Sequence, residues 1–307
     1  MEKNRSNSKL INLPKWQFVI LMILMVSVWA LAFPLIKTGL EELSFTNLTI
    51  MRFFVVCIAL TTILLLQRPR FSKIYKKDIL PIFFLGFFGV MVYHLGLNYG
   101  EQYISPGAAS LIIATIPIFI VILATFFLKE KTTGKKLLGV LLAFGGVLII
   151  SIWGSPNTII EINYIYGAFA VLIAAFMGAL YTIAGKKLLD RYTALSLTVY
   201  AMLLGSLGLI PLINVSLLNE VSILSADAWF AIIFLGLFST VIGYLLWYLA
   251  LEIKTASELS IYLYAIPVLS TIVSYIWFEV EITVLFVLGG VLVISGLTIV
   301  NMKNKKV

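Results

Sequence analysis

The sequence has little charge, one cysteine and one histidine. Charged residues make up only 12% of the 307 positions, while hydrophobic residues make up 61%, a balance that excludes an ordinary soluble protein. With Cys57 and His94 as the single residues of their types, neither a disulfide framework nor a Cys/His metal site can form. The HExxH and Walker motifs are also missing. We therefore expect no metal, no cofactor and no enzymatic activity.

The chain consists instead of long apolar stretches joined by short loops. A helix rises about 1.5 Å per residue and the bilayer core is about 30 Å thick, so a span needs roughly 20 apolar residues. Ten stretches qualify: 16–37, 47–66, 79–99, 105–128, 136–153, 163–184, 193–213, 228–249, 256–278 and 284–301. The sequence thus predicts an all-α integral membrane protein with ten transmembrane helices, numbered here as spans one to ten.

Loop charges alternate along the chain. Basic residues such as Lys73 follow the even-numbered spans, whereas acidic residues such as Glu220 lie in the loops after the odd-numbered spans. The net charge of +8 therefore reflects the orientation of the loops rather than a surface that binds nucleic acid. The positive-inside rule places both termini, with the basic tails 1–15 and 302–307, in the cytoplasm of a multi-pass protein of the cell membrane.

The two halves of the chain repeat each other. Shifts of 149 or 150 residues align Lys37 with Lys186, Gly86 with Gly236, Ser110 with Ser260, and Pro117 with Pro267. The repeats cover 16–153 and 163–301, and each contains five spans. Because five is odd, the second copy enters the membrane from the opposite side. Inverted repeats of this kind are typical of secondary transporters that work by alternating access.

Polar, aromatic and proline residues within the spans are candidates for a solute path. Deep aromatic rings suited to stacking or hydrogen bonding are Trp29, Tyr93, Tyr244 and Tyr264. Ser260 and Tyr264 share a polar stripe of the ninth span, which Ser110 matches in the fourth. Candidate hinges are Pro34, Pro117 and Pro267, since proline leaves the carbonyl four residues earlier without its helical donor.

Three further candidates each carry two interpretations. Arg52 either anchors the outer surface, reaching headgroups or Glu41 and Glu42, or attracts an anionic solute. His94, with Asn98 one turn later, either senses protons or makes an ordinary helix hydrogen bond. Glu258 is either the third residue of a capping box begun by Thr255 or a proton or cation coupling group.

Tryptophans and glycines elsewhere have structural interpretations. Trp247 and Tyr248 lie near a span end and are assigned, with most other tryptophans, to the aromatic belt at the membrane interface. Glycines recur at heptad spacing in spans five and ten, at Gly139, Gly146, Gly289 and Gly296. The pattern leaves open whether they pack within their own repeat or in a homodimer.

Several segments carry a family resemblance. FSTVIGYLLWYLALE, TASELSIYLYAIPVLSTIVSYIWFEVE and LGGVLVISGL, together with LGLNYGEQYISPGAASLIIATIPIFIVILATFFLKE from the first half, resemble an EamA-type member of the drug/metabolite transporter superfamily. The resemblance implies ten helices around a cavity lined mainly by spans one, three, four, six, eight and nine. It also implies transport of a small solute, such as efflux of an amino acid, another metabolite or a drug-like compound. A channel or sensory scaffold is the alternative.

The predicted topology can be tested by cysteine labelling in intact cells, in a background with Cys57 replaced. A membrane-impermeant maleimide should label a cysteine at position 220, because that loop is predicted to lie outside. It should not label a cysteine at position 73 until the membrane is permeabilised. Labelling of position 73 alone in intact cells would reverse the assignment.

Overall fold

A computed structural model describes residues 14–131, 133–153, 162–278 and 283–301. Within these ranges every regular element is a helix, in agreement with the predicted all-α membrane fold. Apart from residues 14 and 15, the predicted tails at 1–15 and 302–307 lie outside the described residues.

Each predicted span corresponds to one helix or to two consecutive ones. In the first repeat these are α1 (Lys15–Ala30) and α2 (Ala32–Leu40), α3 (Phe45–Leu66), α4 (Lys76–Gly86) and α5 (Tyr93–Glu101), α6 (Pro106–Ile113) and α7 (Ile116–Phe127), and α8 (Gly134–Trp153). In the second they are α9 (Ile162–Leu188), α10 (Ala194–Ser206), α12 (Ala226–Phe234) and α13 (Gly243–Ile253), α14 (Ala256–Ser260) and α15 (Ala265–Phe278), and α16 (Val284–Asn301). The short helix α11 (Val215–Ser222) connects spans seven and eight.

Eight helical stretches of the described chain are long and apolar enough to cross a bilayer. They correspond to spans one to four and six to nine. The remaining two predicted spans are the helices α8 and α16, so the total of ten and the side on which the termini lie stay predictions.

Serine and threonine side chains cap the starts of several helices. The hydroxyls of Ser44, Ser105, Thr193, Ser225 and Thr255 each accept a hydrogen bond from the backbone nitrogen three residues later. Such a cap satisfies one of the donors that a helix leaves free at its start. Ser105 and Thr255 occupy equivalent repeat positions, as do Ser44 and Thr193, so the two copies start these helices in the same way.

Helix interruptions also recur at equivalent positions in the two repeats. The third and eighth spans contain the π-helical segments Phe87–Val92 and Leu235–Ile242. The fourth span breaks at Ala114 and Thr115, and the ninth passes through the 3₁₀ segment Ile261–Tyr264. Irregular backbone at membrane depth is tolerated where protein or water surrounds it rather than lipid. These interruptions therefore belong at the centre of the bundle.

Spans five and ten pack against each other, one from each repeat. A Cβ placed on Gly146 would lie 2.4 Å from the carbonyl oxygen of Gly289, and one on Gly296 would lie 2.5 Å from that of Gly139. Small residues allow membrane helices to approach this closely. The glycines therefore contact the other repeat of the same chain, and packing within their own repeat is wrong.

Carboxylates link the loops at the bundle ends. Glu130 accepts hydrogen bonds from the backbone nitrogens of Ala256 (2.9 Å) and Ser257 (3.1 Å), and so caps α14. At the other end, Glu42 accepts from the hydroxyl of Ser225 and from its backbone nitrogen. Both hydrogen bonds lower the pKa of Glu42, and the one from the Ser225 hydroxyl has the larger effect. Both contacts join one repeat to the other.

The glycine contact between α8 and α16 predicts that alanine substitutions at two neighbouring glycines change the free energy of unfolding differently. Gly146→Ala should lower the free energy of unfolding by about 1–3 kcal/mol, because the added methyl overpacks the seam. Gly145→Ala is the matched control, since a Cβ at Gly145 meets no atom within 4 Å and alanine favours a helix over glycine. Thermal unfolding in detergent would measure both variants. Equal melting temperatures would contradict the observed packing.

Candidate functional site

A cavity with an empty volume of about 690 Å³ lies within the bundle. Side chains from spans one, two, three, four, six, eight and nine line it. The cavity therefore has walls from both repeats. Six of these spans are the ones that the family resemblance implied, and the second span adds Arg52.

Two aromatic rings of the first repeat that line the cavity each pack against a glycine of the second repeat. Trp29 of the first span lies against Gly243 of the eighth, and Tyr93 of the third lies against Gly178 of the sixth. A Cβ on Gly243 would lie 2.5 Å from Trp29 Nε1, and one on Gly178 would lie 3.2 Å from Tyr93 Cε2. Trp29 and Gly178 are equivalent repeat positions, as are Tyr93 and Gly243. The two contacts are therefore one duplicated contact with aromatic and glycine exchanged.

The π-helical segment of the eighth span connects to the first span. Trp29 Nε1 donates to the carbonyl oxygen of Ser239 (2.9 Å), and the Ser239 hydroxyl donates to the carbonyl oxygen of Val28 (3.0 Å). A π segment shifts the helical hydrogen-bond pattern, and here a carbonyl within it accepts a side-chain donor. This pair of bonds fixes Trp29 at the cavity wall.

Arg52 is a buried charge at the cavity. Its side chain is 3% exposed, its Nε donates to the Thr240 hydroxyl (2.7 Å), and its Nη1 has no hydrogen-bond partner in the described part of the chain. The Thr240 hydroxyl donates in turn to the carbonyl oxygen of Leu235 (2.7 Å) within the π segment. The anchoring of Arg52 at the outer surface is therefore wrong. The guanidinium is instead held inside the bundle with donor capacity to spare.

His94 lies beside Arg52 on the cavity wall, 1% exposed. Its Nδ1 lies 2.6 Å from the carbonyl oxygen of Val90 in the π segment of the third span. Because a carbonyl only accepts, Nδ1 carries the proton. The ring also makes edge contacts with Phe53 and Tyr93, with centroids 5.2 and 4.9 Å away. His94 is thus oriented by its own helix.

The eighth and sixth spans contribute residues that the sequence analysis missed. Trp247 is 2% exposed, its Nε1 donates to the Thr182 hydroxyl (3.2 Å), and it lines the cavity. Its assignment to the interfacial belt is wrong, as is that of Tyr248, which is fully buried and stacks on Tyr181 at 5.0 Å. The missed signal was the spacing of Gly178, Tyr181 and Thr182 on one face of the sixth span.

Five of the predicted residues lie outside the lining of this cavity. Asn98 donates to the Thr49 hydroxyl (2.9 Å). The hydroxyls of Ser110 and Ser260 donate to the carbonyls of Gly107 and Ser257 in their own helices. Tyr264 is fully buried in a cluster with Val140 and Val293 of spans five and ten. The Thr255 hydroxyl accepts from the backbone nitrogen of Glu258, and the Glu258 carboxylate lies 3.9 Å from Lys136 Nζ.

The three candidate hinge prolines follow helix interruptions. Pro34 lies three residues after the break at Leu31 that separates α1 from α2. Pro117 and Pro267 follow the interruptions of the fourth and ninth spans. Proline provides no donor for the carbonyl four residues before it, which for Pro117 and Pro267 belongs to Ile113 and Leu263. The side chains of both of these residues line the cavity.

Comparisons with known proteins agree with this architecture. The model of the EamA-like transporter family matches residues 16–152 and 165–302. A transporter of Archaeoglobus fulgidus is 39% identical over 94% of this chain and 99% of its own length. A Streptantibioticus cattleyicolor protein described as a probable terminal-alkyne amino-acid exporter is 32% identical over 92% of this chain and 93% of its own. The transporter YdfC of Bacillus subtilis is also 32% identical, over 94% of this chain and 92% of its own length.

A solved crystal structure shares the fold. Its TM-score is 0.72 over 94% of this chain and 97% of the other chain, at 16% sequence identity. At this identity the likeness concerns the arrangement of helices alone.

The bond between Arg52 and Thr240 predicts a specific loss of stability. Thr240→Val should lower the free energy of unfolding by about 1–3 kcal/mol, because a buried charged donor loses its acceptor. Thr62→Val is the matched control, since the Thr62 hydroxyl bonds only to its own helix on an exposed face. Melting temperatures of the purified variants would compare them. A Thr240→Val protein as stable as the Thr62→Val protein would show that the bond contributes little.

Proposed function

This chain belongs to the EamA-like transporter family, and we propose that it is a secondary transporter that works by alternating access in the cell membrane. It is a multi-pass membrane protein, and relatives that it matches over 99% and 92% of their own length are described as transporters. The proposal adds a mechanism and a class of solute, a small and largely apolar molecule that bears a carboxylate. No catalytic step and no cofactor are part of it.

The observation that carries the mechanism is the duplicated contact between aromatic ring and glycine. Trp29 against Gly243 and Tyr93 against Gly178 are equivalent contacts related by the inverted repeat. An inverted pair can exchange conformations, so that the arrangement of one repeat becomes that of the other and the cavity changes the side to which it opens. A duplicated contact of this kind supports a carrier more directly than a channel or a sensory scaffold.

The cavity walls support the class of solute. Aromatic rings from both repeats provide a largely apolar surface, and rings of this kind stack well on apolar groups. The free Nη1 of Arg52 is the strong cationic donor at the wall, and a guanidinium pairs well with a carboxylate. An amino acid with an apolar side chain combines both features. The description of the Streptantibioticus relative as an amino-acid exporter supports the same class.

Counterflow in proteoliposomes tests the proposal. Purified protein should exchange external radiolabelled L-leucine or propargylglycine for the same unlabelled amino acid trapped inside, and the exchange should saturate. A channel gives flux that does not depend on solute trapped on the other side, and a scaffold gives none. L-Leucinamide, which lacks the carboxylate, should be exchanged poorly. Failure of every amino acid with an apolar side chain would refute the solute class.

Arg52 should determine recognition of the carboxylate. Arg52→Gln should reduce leucine counterflow roughly tenfold or more, because a charge-assisted hydrogen bond contributes about 1.5–3 kcal/mol and each 1.4 kcal/mol is a factor of ten in affinity. Arg68→Gln, at an exposed site after the second span, is the matched control. Melting temperatures would confirm that both variants are folded. Full activity of a folded Arg52→Gln protein would contradict the assigned role.

A further inference from the structure

Two lysines occupy equivalent positions at opposite ends of the bundle. Lys37 ends the first span and Lys186 ends the sixth, and they are 149 residues apart. Lys186 Nζ donates to the carbonyl oxygens of Leu251 and Lys254, the latter at 3.0 Å. These carbonyls lie at the end of α13, where a helix leaves acceptors free. Lys186 thus fastens the sixth span to the end of the eighth.

The end of the third span has the equivalent backbone carbonyls, which are the corresponding acceptors for Lys37 Nζ. The backbone nitrogen of Lys254 donates to Ala250 O (2.9 Å), and that of Ile104 donates to Gly100 O (3.0 Å). The two helix ends therefore have the same hydrogen-bond pattern, with Glu101 and Ile104 in place of Leu251 and Lys254. Among the described residues, however, Lys37 Nζ finds no hydrogen-bond acceptor. One lysine is engaged and its counterpart is not.

Glu101 lies at the vacant acceptor site, and it is a buried carboxyl without a partner. It is fully buried, and neither carboxyl oxygen accepts a hydrogen bond from any residue that the structure describes. Its equivalent in the second repeat is the apolar Leu251, which is also fully buried. Burial of a bare carboxylate is strongly unfavourable, whereas a neutral carboxyl is tolerated at much lower cost. The position therefore suits a group that carries a proton.

The charges that face Glu101 come from two neighbouring helices. Lys37 approaches from α2 and Arg52 from α3, and Tyr93 faces it from its own helix. The sixth span presents an apolar surface here, with Val171 and Gly167 against Gly100. Among the side chains that the structure describes, Tyr99, Tyr103 and Tyr166 also interact near this end of α5 and α9. Movement of Lys37 is thus the change that would alter the charge around the carboxyl most.

We infer that Glu101 is the proton-binding site of a proton-coupled transport cycle and that Lys37 controls it. In the conformation described here, the Glu101 carboxyl is protonated. When the repeats exchange conformations, Lys186 leaves its carbonyls and Lys37 Nζ moves onto those of Glu101 and Ile104. The O–H bond of the carboxyl then breaks, the proton passes to water, and the carboxylate pairs with the Lys37 ammonium. This inference rests on the proposed carrier function.

Infrared spectroscopy tests the protonation directly. Protein in lipid nanodiscs at neutral pH should show the stretching band of a protonated carboxyl, which Glu101→Gln removes. Glu41→Gln, an exposed carboxylate at the same end, should leave the band unchanged. Glu101→Leu copies the residue of the second repeat and provides a second variant if the glutamine protein is unstable. A wild-type spectrum without the band, or with a band that survives both Glu101 variants, would overturn the inference.

Lysine variants test the control by Lys37. Lys186→Met should weaken the carboxyl band, because it releases the engaged lysine and favours the state with Lys37 on Glu101. The double variant Lys37→Met, Lys186→Met should restore the band. Lys187→Met is the control, since Lys187 Nζ lies over the Phe127 ring, 5.4 Å from its centroid, and contacts neither site. An unchanged band in Lys186→Met would refute the control by Lys37.

Transport assays separate this inference from the carrier function. Leucine counterflow, which needs no proton gradient, should persist in Glu101→Gln, whereas accumulation driven by an imposed pH gradient should be lost. Loss of gradient-driven accumulation alone supports proton coupling through Glu101. If the wild-type protein shows counterflow but no response to a pH gradient, the result supports the carrier function and refutes proton coupling.

Discussion

The structure depends on the rule that backbone polar groups within a bilayer must find partners inside the protein. In spans three, four, eight and nine the α-helical hydrogen-bond pattern is interrupted near the middle of the span. The interruptions are two π segments, a 3₁₀ segment and a turn. Their freed groups are usable only where protein or a cavity surrounds them. The carbonyl of Ser239 accepts from Trp29, and that of Val90 accepts from His94. The breaks therefore determine where the cavity lies and which side chains are fixed at its wall.

Because the chain is duplicated, helix interruptions and close contacts of the same kind occur in both repeats around the cavity. In two of the close contacts around the cavity, an aromatic ring of the first repeat packs on a glycine of the second, and the two contacts occupy equivalent positions with ring and glycine exchanged. Spans five and ten also contact each other across the repeats, through glycines. Differences between equivalent residues, such as Glu101 and Leu251, then indicate where the two ends act differently.

Much of the fold could be predicted from the sequence, and part of the site could be too. Apolar length predicted the membrane helices, and Trp29, Arg52, Tyr93, His94 and Tyr244 do line one cavity. Trp247 was missed because nearness to a span end suggests the interface, whereas its partner Thr182 lies on a helix 65 residues away. Tyr264 was predicted at the cavity because polar stripes resemble cavity walls. Its position against spans five and ten follows from the packing of the two repeats, which a stripe on one helix does not reveal.

The sequence by itself determined the all-helical membrane class and the duplication of the chain, because length, hydropathy and internal similarity are properties of the chain taken locally. Only the tertiary structure decided which polar groups meet. Arg52 and Thr240 are 188 residues apart, and the bond between them exists because a π segment turns Thr240 toward the second span. It likewise decided that, among the described residues, Lys186 Nζ finds carbonyl acceptors while Lys37 Nζ does not. Lys37 and Lys186 carry the same side chain, but the conformation of the whole bundle determines which of them finds its acceptors.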